Sequence, residues 1–329
     1  NEDFVYNPRI SVTAPVGPIN RNKLGRTGVM SPLYTVFRPH DIDTTYLEHF
    51  FKSGYWHSFM NFNGDSGARS DRFSIKDSVF FEMPIPTPDI EEQKKIGEFL
   101  TQLDTLITLH QRKYEKLVNI KKSMLDKMFP QNGASVPEIR FKGFTDPWEQ
   151  RKVGTLIEDY TEKTVTQNQY PVLTSSQQQG IVLQEDYFAD RQVTTDNNVG
   201  YYVLPKGYFT YRSRSDTDVF VFNRNNIVDK GIISYYYPVF APKSCDSNFL
   251  LRRLNHGIKK QLSMAAEGTG QKVLAHAKFK NMVVDVPSQS EQEKIGTILE
   301  ELDTLITLHQ RKLEKLQNIK KSCLEKMFV

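Results

Sequence analysis

The chain has 329 residues, more than one ordinary domain needs at about 150 residues per domain, so we expect two globular units. Hydrophobic residues make up 38% and charged residues 25%, which excludes intrinsic disorder. No long apolar run and no signal-peptide pattern occurs, so we expect a cytoplasmic protein without membrane spans. Cys245 and Cys323 are the two cysteines, too few for a disulfide framework or a structural zinc site, and the net charge of +4 permits nucleic-acid binding without requiring it.

The first segment, residues 1–87, is predicted to be the C-terminal part of a first globular domain. It opens inside an alternating run that is typical of a β-strand. Its alignment with the second half of the chain places Asn1 near Leu204, so we expect roughly the first 65 residues of this copy to be absent.

An internal repeat organises the chain. Residues 103–113 read LDTLITLHQRK and residues 302–312 read the same, while GVMSPLYTVFRP from Gly28 aligns with GIISYYYPVFAP from Gly231. The residue numbers differ by 199 in the first match and by 203 in the second. A repeat of this extent predicts that a domain followed by a long helix occurs twice. The helices are nearly identical, whereas the domains match at framework positions, which indicates one scaffold that presents two different surfaces.

Two long helices are predicted within residues 88–129 and 287–329, with a linker at 130–137. Apolar residues recur at alternating intervals of four and three, a heptad pattern that predicts a coiled coil. Each helix is acidic in its first half and basic in its second, which favours antiparallel pairing with His110 near His309. At about 1.5 Å per residue each helix is about 55 Å long, equal to about 16 base pairs of DNA, and we expect it to separate the two domains like a ruler.

The second domain, residues 138–286, is predicted to be α+β. Short β-rich runs alternate with polar loops, a helix is expected near residues 247–262, and Trp148 is expected to anchor a small core. The fold class of the whole chain is therefore α+β, with two such domains separated by an antiparallel helix pair and related by pseudo-twofold symmetry.

Several predicted loops carry side chains suited to DNA. Glutamine can pair with adenine edges, and lysine and arginine with phosphates or guanine. For any single residue a solvated loop is at least as good an explanation, so the set carries more weight than its members. The predicted DNA-binding residues are Tyr6, Asn7, Arg9, Asn20, Arg21, Lys23, Arg26, Arg69, Arg72, Ser175, Ser176, Gln177, Gln178, Gln179, Tyr211, Arg212, Arg214 and Lys272.

Catalytic and metal-binding motifs are not found. The run from Gly268 to Lys272 lacks the spacing and the ending of a phosphate-binding loop. Asp89, Glu92 and Lys94 resemble a nuclease motif, but the second copy has Ser288 in place of the aspartate, so these residues more simply begin a helix. We therefore predict no catalytic residue, no metal and no directly bound cofactor.

The order of variable domain, repeated helix, second variable domain and second helix resembles the DNA-specificity subunit of type I restriction-modification systems. The most specific marks are LDTLITLHQRK in both helices, Glu-Gln at 92–93 and 291–292, and RFKGFTDPW at 140–148. The resemblance implies a non-catalytic subunit whose two domains are target-recognition domains, each recognising half of a split site in double-stranded DNA.

The resemblance also implies partners. Two methyltransferase subunits would dock on the helices and use S-adenosylmethionine, and restriction subunits would use ATP with Mg. Two other interpretations stay open: a coiled-coil scaffold with protein-binding domains, which predicts no salt-dependent DNA binding, and a nuclease, which predicts magnesium-dependent cutting by the chain itself.

Overall fold

A computed structural model describes residues 2–66, 71–130, 134–188 and 197–328. The chain divides into two compact units, Asn1–Glu115 with Thr307–Val329, and Lys116–Ile306. The division passes through both long helices, α4 (Ile90–Lys127) and α9 (Gln289–Lys326). The sequence-based boundaries treat each helix as a segment of its own, whereas in the structure each unit holds part of both helices.

Unit 1 is built on a three-stranded antiparallel sheet in the order β2-β1-β3, with Val5 of β1 opposite both Asn20 and Val36. Its core contains Phe4 and Phe50, both almost fully buried. Before α4, its elements are β1 (Phe4–Tyr6), β2 (Ile19–Arg21), β3 (Thr35–Phe37), α1 (Thr44–Ser53), α2 (His57–Asn63), β4 (Asp65–Ser66), β5 (Phe73–Ser74) and α3 (Asp77–Phe80).

Unit 2 is larger and repeats the scaffold, as predicted. Its central sheet has the order β13-β11-β15-β7, in which β11 has the place that β1 has in unit 1. Between the long helices lie β6 (Glu149–Lys152), a 3₁₀ turn (Val153–Thr155), β7 (Ile157–Tyr160), β8 (Leu173–Ser176), β9 (Gly180–Leu183), α5 (Gln184–Tyr187), β10 (Tyr202–Pro205), β11 (Phe209–Tyr211), β12 (Arg214–Ser215), β13 (Phe222–Arg224), β14 (Lys230–Ile233), β15 (Val239–Pro242), α6 (Ser247–Asn255), α7 (Lys259–Ala265), β16 (Lys272–Val273), α8 (His276–Asn281) and β17 (Val283–Val286).

The helix expected at residues 247–262 is two helices. The chain leaves α6 after Asn255 and passes through Gly257, whose φ of +92° lies in the left-handed region that favours glycine, before α7 begins. The sequence did not reveal this break, because apolar residues recur at helical spacing on both sides of Gly257.

A glutamine at the start of each long helix holds the short helix that packs on it. Gln93 accepts the backbone N–H of Asp43 at 2.9 Å and donates to the carbonyl of Pro88 at 2.8 Å. Gln292 makes the same two bonds, at 3.0 and 2.9 Å, with Asp246 and Pro287. The glutamine of the repeated Glu-Gln sequence therefore fixes the short helix to the long helix, in addition to marking where the long helix starts.

The end of each long helix is anchored by a phenylalanine. Phe129, after α4, is buried in unit 2, where its ring stacks on Phe249 at 5.8 Å. Phe328, after α9, is buried in unit 1, 5.2 Å from the ring of Tyr46. The last residues of the second helix thus complete the core of the first unit.

The helices pair antiparallel in both units. In unit 1, Nδ1 of His110 lies 2.8 Å from Nδ1 of His309, as the sequence predicted, and Lys320 forms an ion pair with Asp104. In unit 2 the equivalent ion pair joins Lys121 to Asp303. Asp303 is the repeat counterpart of Asp104, and Lys121 is that of Lys320. Both ion pairs set the basic end of one helix against the acidic half of the other.

Candidate nucleic-acid interface

In unit 2, two loops and the paired short strands β12 and β16 bring most of the predicted residues onto one surface. The amide of Gln177, in the β8–β9 turn, donates to the carbonyl of Val219 at 3.4 Å. Arg212 lies 3.8 Å from the carboxylate of Asp216, which also accepts a bond from Gln271 at 2.9 Å. The same surface carries Gln178, Gln179, Arg214 and Lys272. Exposed amides and cations on loops are the groups that contact base edges and phosphates.

The β8–β9 turn is held from below. Ser176 Oγ accepts the backbone N–H groups of Gln178 and Gln179, both at 3.2 Å. The amide of Asn223 donates to Ser175 Oγ and to the carbonyl of Ser176, both at 2.8 Å. The prediction that Ser176 contacts DNA is therefore wrong, because its side chain is buried in a supporting role. The half-buried Ser175 accepts one of the Asn223 bonds and takes part in the same support.

The two predicted tyrosines belong to the cores. Tyr6 is 3% exposed and its hydroxyl donates to the carbonyl of Val16 at 2.8 Å, while Tyr211 is fully buried with its hydroxyl 3.3 Å from His276. Burial raises the pKa of both phenols above the ordinary value. Tyr6 lies on the inward face of β1, and Tyr211 ends β11, in which all three residues are buried. The prediction of DNA contact is wrong for both.

Arg21 is also structural. Its guanidinium pairs with Glu2, donates to Thr45 Oγ1 at 3.1 Å and lies 3.5 Å from Glu48, and its side chain is largely buried. Its counterpart in unit 2, Arg224, is held in the same way by the first residues of α6. Arg21 therefore fixes α1 to β2, a structural role that is enough to account for its position.

Glu48 forms ion pairs with two neighbouring lysines. It accepts bonds from Lys23 at 2.8 Å and Lys52 at 2.9 Å. Burial alone would raise the pKa of this carboxyl, but the two lysines outweigh it and lower the pKa to about 2. Lys23 remains well exposed beside this pair and keeps a surface suited to a phosphate.

A groove of about 720 Å³ in unit 1 is lined by several predicted residues, namely Asn7, Asn20, Arg21, Lys23 and Arg26. Unit 2 shows what lies at the same place there. Asn223, the counterpart of Asn20, is buried under the β8–β9 turn, and a Cβ added to Gly231 would lie 2.2 Å from Leu173 of β8. Among the described residues, no atom lies within 4 Å of a Cβ added to the equivalent Gly28. The exposure of Asn20 therefore does not by itself indicate contact with DNA.

Arg9 and Arg72 are exposed and face each other across an isolated β-bridge, and the predicted Arg69 lies outside the described residues. In the described part of the chain, no cluster of three or more His, Cys, Asp or Glu side chains could hold a metal ion. No helix there is long and apolar enough to cross a membrane.

The family follows from a comparison of the sequence with known proteins. A family model described as the type I restriction modification DNA specificity domain matches residues 9–119 and 146–318. The chain belongs to this family. Each match covers a variable domain and most of the long helix that follows it, so the family repeat and the internal repeat coincide.

Curated members of the specificity-domain family are distant. The chain is 24% identical over 276 residues to the type I restriction enzyme MjaVIII specificity subunit of Methanocaldococcus jannaschii, covering 75% of this chain and 61% of that protein. It is 22% identical over 259 residues to the putative type I restriction enzyme MjaX specificity subunit of the same organism, covering 75% and 59%. The chain thus spans about 60% of the length of these relatives.

A solved structure supports the fold. The type I restriction-modification system S subunit from M. genitalium has a TM-score of 0.54 and 13% identity to this chain, and the match covers 90% of this chain and 75% of that one. The α+β fold with two domains and two long helices, predicted from the sequence, is confirmed by this likeness and by the family match.

Two residues of the candidate interface escaped the sequence-based prediction. Tyr235 and Tyr236 are exposed beside Arg214, whose guanidinium lies 4.4 Å from the centre of the Tyr236 ring. They lie in the aligned GIISYYYPVFAP segment, at two positions where the copies differ, opposite Pro32 and Leu33. Tyrosine is common in strands, so a run of three did not indicate a turn.

Proposed function

We propose that the chain is a non-catalytic DNA-specificity subunit of a type I restriction-modification system, acting in the cytoplasm on double-stranded DNA with a split recognition site. One observation carries the proposal: unit 2 gathers exposed amide and guanidinium groups from the β8–β9 turn, the loop after β11 and the short strand β12 onto one surface, on a scaffold that unit 1 repeats with different side chains. Lysine and arginine would supply salt-dependent affinity, and the loop side chains would distinguish bases.

The helices support a proposal for the partners. Leu106 and Leu109 are exposed on α4, and their counterparts Leu305 and Leu308 are exposed on α9. Exposed leucines at helical spacing mark an interaction surface, and an identical surface that occurs twice fits two copies of one partner. We therefore propose that two methyltransferase subunits dock here and that restriction subunits join through them. S-adenosylmethionine, and ATP with Mg, would be bound by those partners.

Long-read sequencing that detects methylated adenine tests the function. We expect cells with the gene to carry methylated adenine at one split motif and cells without the gene to lose it. An unchanged methylome would contradict the proposal. The absence of salt-dependent DNA binding by the purified chain would favour the scaffold interpretation. Magnesium-dependent cutting of DNA by the purified chain would favour a nuclease.

A further inference from the structure

The turn between β14 and β15 carries an exposed aromatic pair. The rings of Tyr235 and Tyr236 lie 4.2 Å apart, and 49% and 44% of their surfaces are exposed. The N–H of Tyr237 donates to the carbonyl of Ser234 at 2.9 Å, which closes a β-turn with the two rings at its tip. Two large aromatic side chains held together in solvent indicate a surface that binds something.

Several contacts fix the pair before any ligand arrives. The Tyr235 hydroxyl donates to the Tyr236 hydroxyl at 3.0 Å, and Ser213 Oγ donates to the carbonyl of Tyr236 at 2.7 Å. The guanidinium of Arg214 lies over the Tyr236 ring, and Tyr201 contacts the Tyr235 ring edge-on at 5.7 Å. Rings ordered in advance lose little conformational entropy on binding.

The aromatic tip is continuous with the candidate DNA-binding surface. Ser213 and Arg214, which hold Tyr236, follow Arg212 directly in the chain. The carboxylate of Asp216 on this surface is engaged by Arg212 and Gln271. The cations at the base of the tip favour a polyanion as the ligand.

Unit 1 has the same turn with a different tip. The N–H of Tyr34 donates to the carbonyl of Ser31 at 3.0 Å, and Ser31 Oγ accepts the N–H of Leu33 at 3.4 Å, as Ser234 Oγ accepts that of Tyr236. The tip residues are Pro32 and Leu33, and Leu33 is 55% exposed. The turn is kept while its tip changes from one apolar pair to another. Proline, leucine and aromatic side chains are the types that can enter between base pairs or stack on bases.

We propose that Tyr235 and Tyr236 form a wedge that inserts between base pairs of duplex DNA at the half-site bound by unit 2. The ring faces would stack on the unstacked bases, and the sequence dependence of that unstacking would add to recognition at a position that makes no hydrogen bond. This inference rests on the proposed function, because it requires DNA as the ligand.

The test uses the full chain with its methyltransferase partner and a duplex that carries the motif found by methylome sequencing. Successive adenines are replaced by 2-aminopurine, whose fluorescence rises when it is unstacked. Apart from the adenines that the methyltransferase subunits extrude for reaction, we expect a rise at one step of the half-site bound by unit 2. The Tyr235→Ala, Tyr236→Ala double variant should lose this rise and bind about tenfold more weakly or worse, whereas the Phe, Phe double variant should keep both properties, because phenyl rings stack equally well.

Tyr55→Ala is the matched control, since Tyr55 is an exposed tyrosine of unit 1, 43% exposed, and should leave binding unchanged. Wild-type affinity and an unaltered fluorescence rise in the alanine variant would overturn the wedge while leaving the specificity function intact. A phenylalanine variant as weak as the alanine variant would also overturn it, because the hydroxyls would then act by hydrogen bonding. A wild-type complex that binds no duplex would contradict the proposed function itself.

Discussion

Corresponding positions in the two units carry different but matched polar pairs. In unit 1, Nε2 of the buried His49 lies 3.1 Å from Thr101 Oγ1 of α4. In unit 2, Arg252 has the place of His49 and donates to Glu300, the counterpart of Thr101, at 3.0 Å. Each domain is thus fitted to its own helix by a neutral pair in one case and an ion pair in the other. The sequence alone could not show this, because the partners lie about fifty residues apart.

The buried histidine predicts a pH dependence in unit 1. Burial lowers the pKa of His49 to about 4, and the charge of Lys52 acts in the same direction. An unfolded histidine titrates near 6.5, so the unfolded state binds more protons, and stability present above pH 6.5 is lost as the pH falls toward 4. We expect unit 1 to lose about 2 kcal/mol between pH 7 and pH 5 through this group.

Each unit contains one of the two tryptophans, both buried, so urea unfolding can be followed in each unit separately: Trp56 in unit 1 and Trp148 in unit 2. In a Trp148→Phe background, His49→Gln should remove the loss between pH 7 and pH 5. An equal pH dependence with and without His49 would show that the histidine is not the group responsible.

The misplaced tyrosines show why a candidate site is harder to predict than a fold. Tyr6 and Tyr211 stand next to polar or basic residues at strand ends, a pattern that fits a DNA contact and a core residue equally well. Which face a side chain occupies depends on strand register, which is set by pairing with distant strands. The exposure of the glutamine turn and of Arg212 could be predicted because loops between strands lie at the surface, and their contact with DNA stays a prediction.

At the scale of the elements, a glycine near the start of each long helix allows the short helix to approach. Gly97 packs on the N-terminus of α1, and Gly296 packs on that of α6. An added Cβ at Gly296 would lie 2.3 Å from Asp246 Oδ1, the group that caps α6, and 3.0 Å from the backbone nitrogen of Phe249. The two glycines therefore serve close packing rather than flexibility.

Alanine normally stabilises a helix by about 1 kcal/mol relative to glycine, but we expect Gly296→Ala to destabilise unit 2 by about 2 kcal/mol because of this overpacking. The measurement is urea unfolding followed by Trp148 in a Trp56→Phe background. Glu301→Ala, at an exposed position of the same helix within unit 2, should change stability by less than about 0.5 kcal/mol. A more stable Gly296→Ala variant would mean that the contact is not tight.

The phenylalanines that end the long helices lie in units that their order in the sequence would not suggest. Phe328 follows the second domain in sequence but lies in the core of unit 1, and Phe129 lies in that of unit 2. We expect Phe328→Ala to destabilise unit 1, and Phe129→Ala to destabilise unit 2, by about 3–5 kcal/mol each.

Trp56 fluorescence should report the first loss and Trp148 the second, while Phe62→Ala, at an 89% exposed position, should affect neither. A Phe328→Ala variant that weakens only unit 2 would refute this assignment. The heptad pattern was enough to predict both helices and the His110–His309 contact. The burial of Phe129 and Phe328 could not be predicted, because the Lys-Met-Phe sequence at the end of each helix follows the same apolar pattern as the rest of the helix.

At the scale of the whole molecule, the repeated leucines predict how the partner binds. We expect Leu109→Glu or Leu308→Glu alone to reduce the bound methyltransferase subunits from two to one, and both together to abolish binding, because a charge in each apolar contact opposes its burial. Native mass spectrometry of the co-purified complex gives the count.

Val12→Glu is the control, since Val12 is a fully exposed residue of unit 1 outside both helices. It should leave the count at two. A double leucine variant that still binds two subunits would place the docking surface elsewhere.

We propose that unit 2 determines one half of a split DNA site. The most direct measurement is sequencing of methylated adenine in cells that express either the wild-type chain or an Arg212→Ala, Arg214→Ala variant. These exposed arginines lie on the candidate surface of unit 2. We predict that base preference weakens in one half of the motif and stays unchanged in the other. If the motif is unchanged, or weakens equally in both halves, unit 2 does not determine one half of the site.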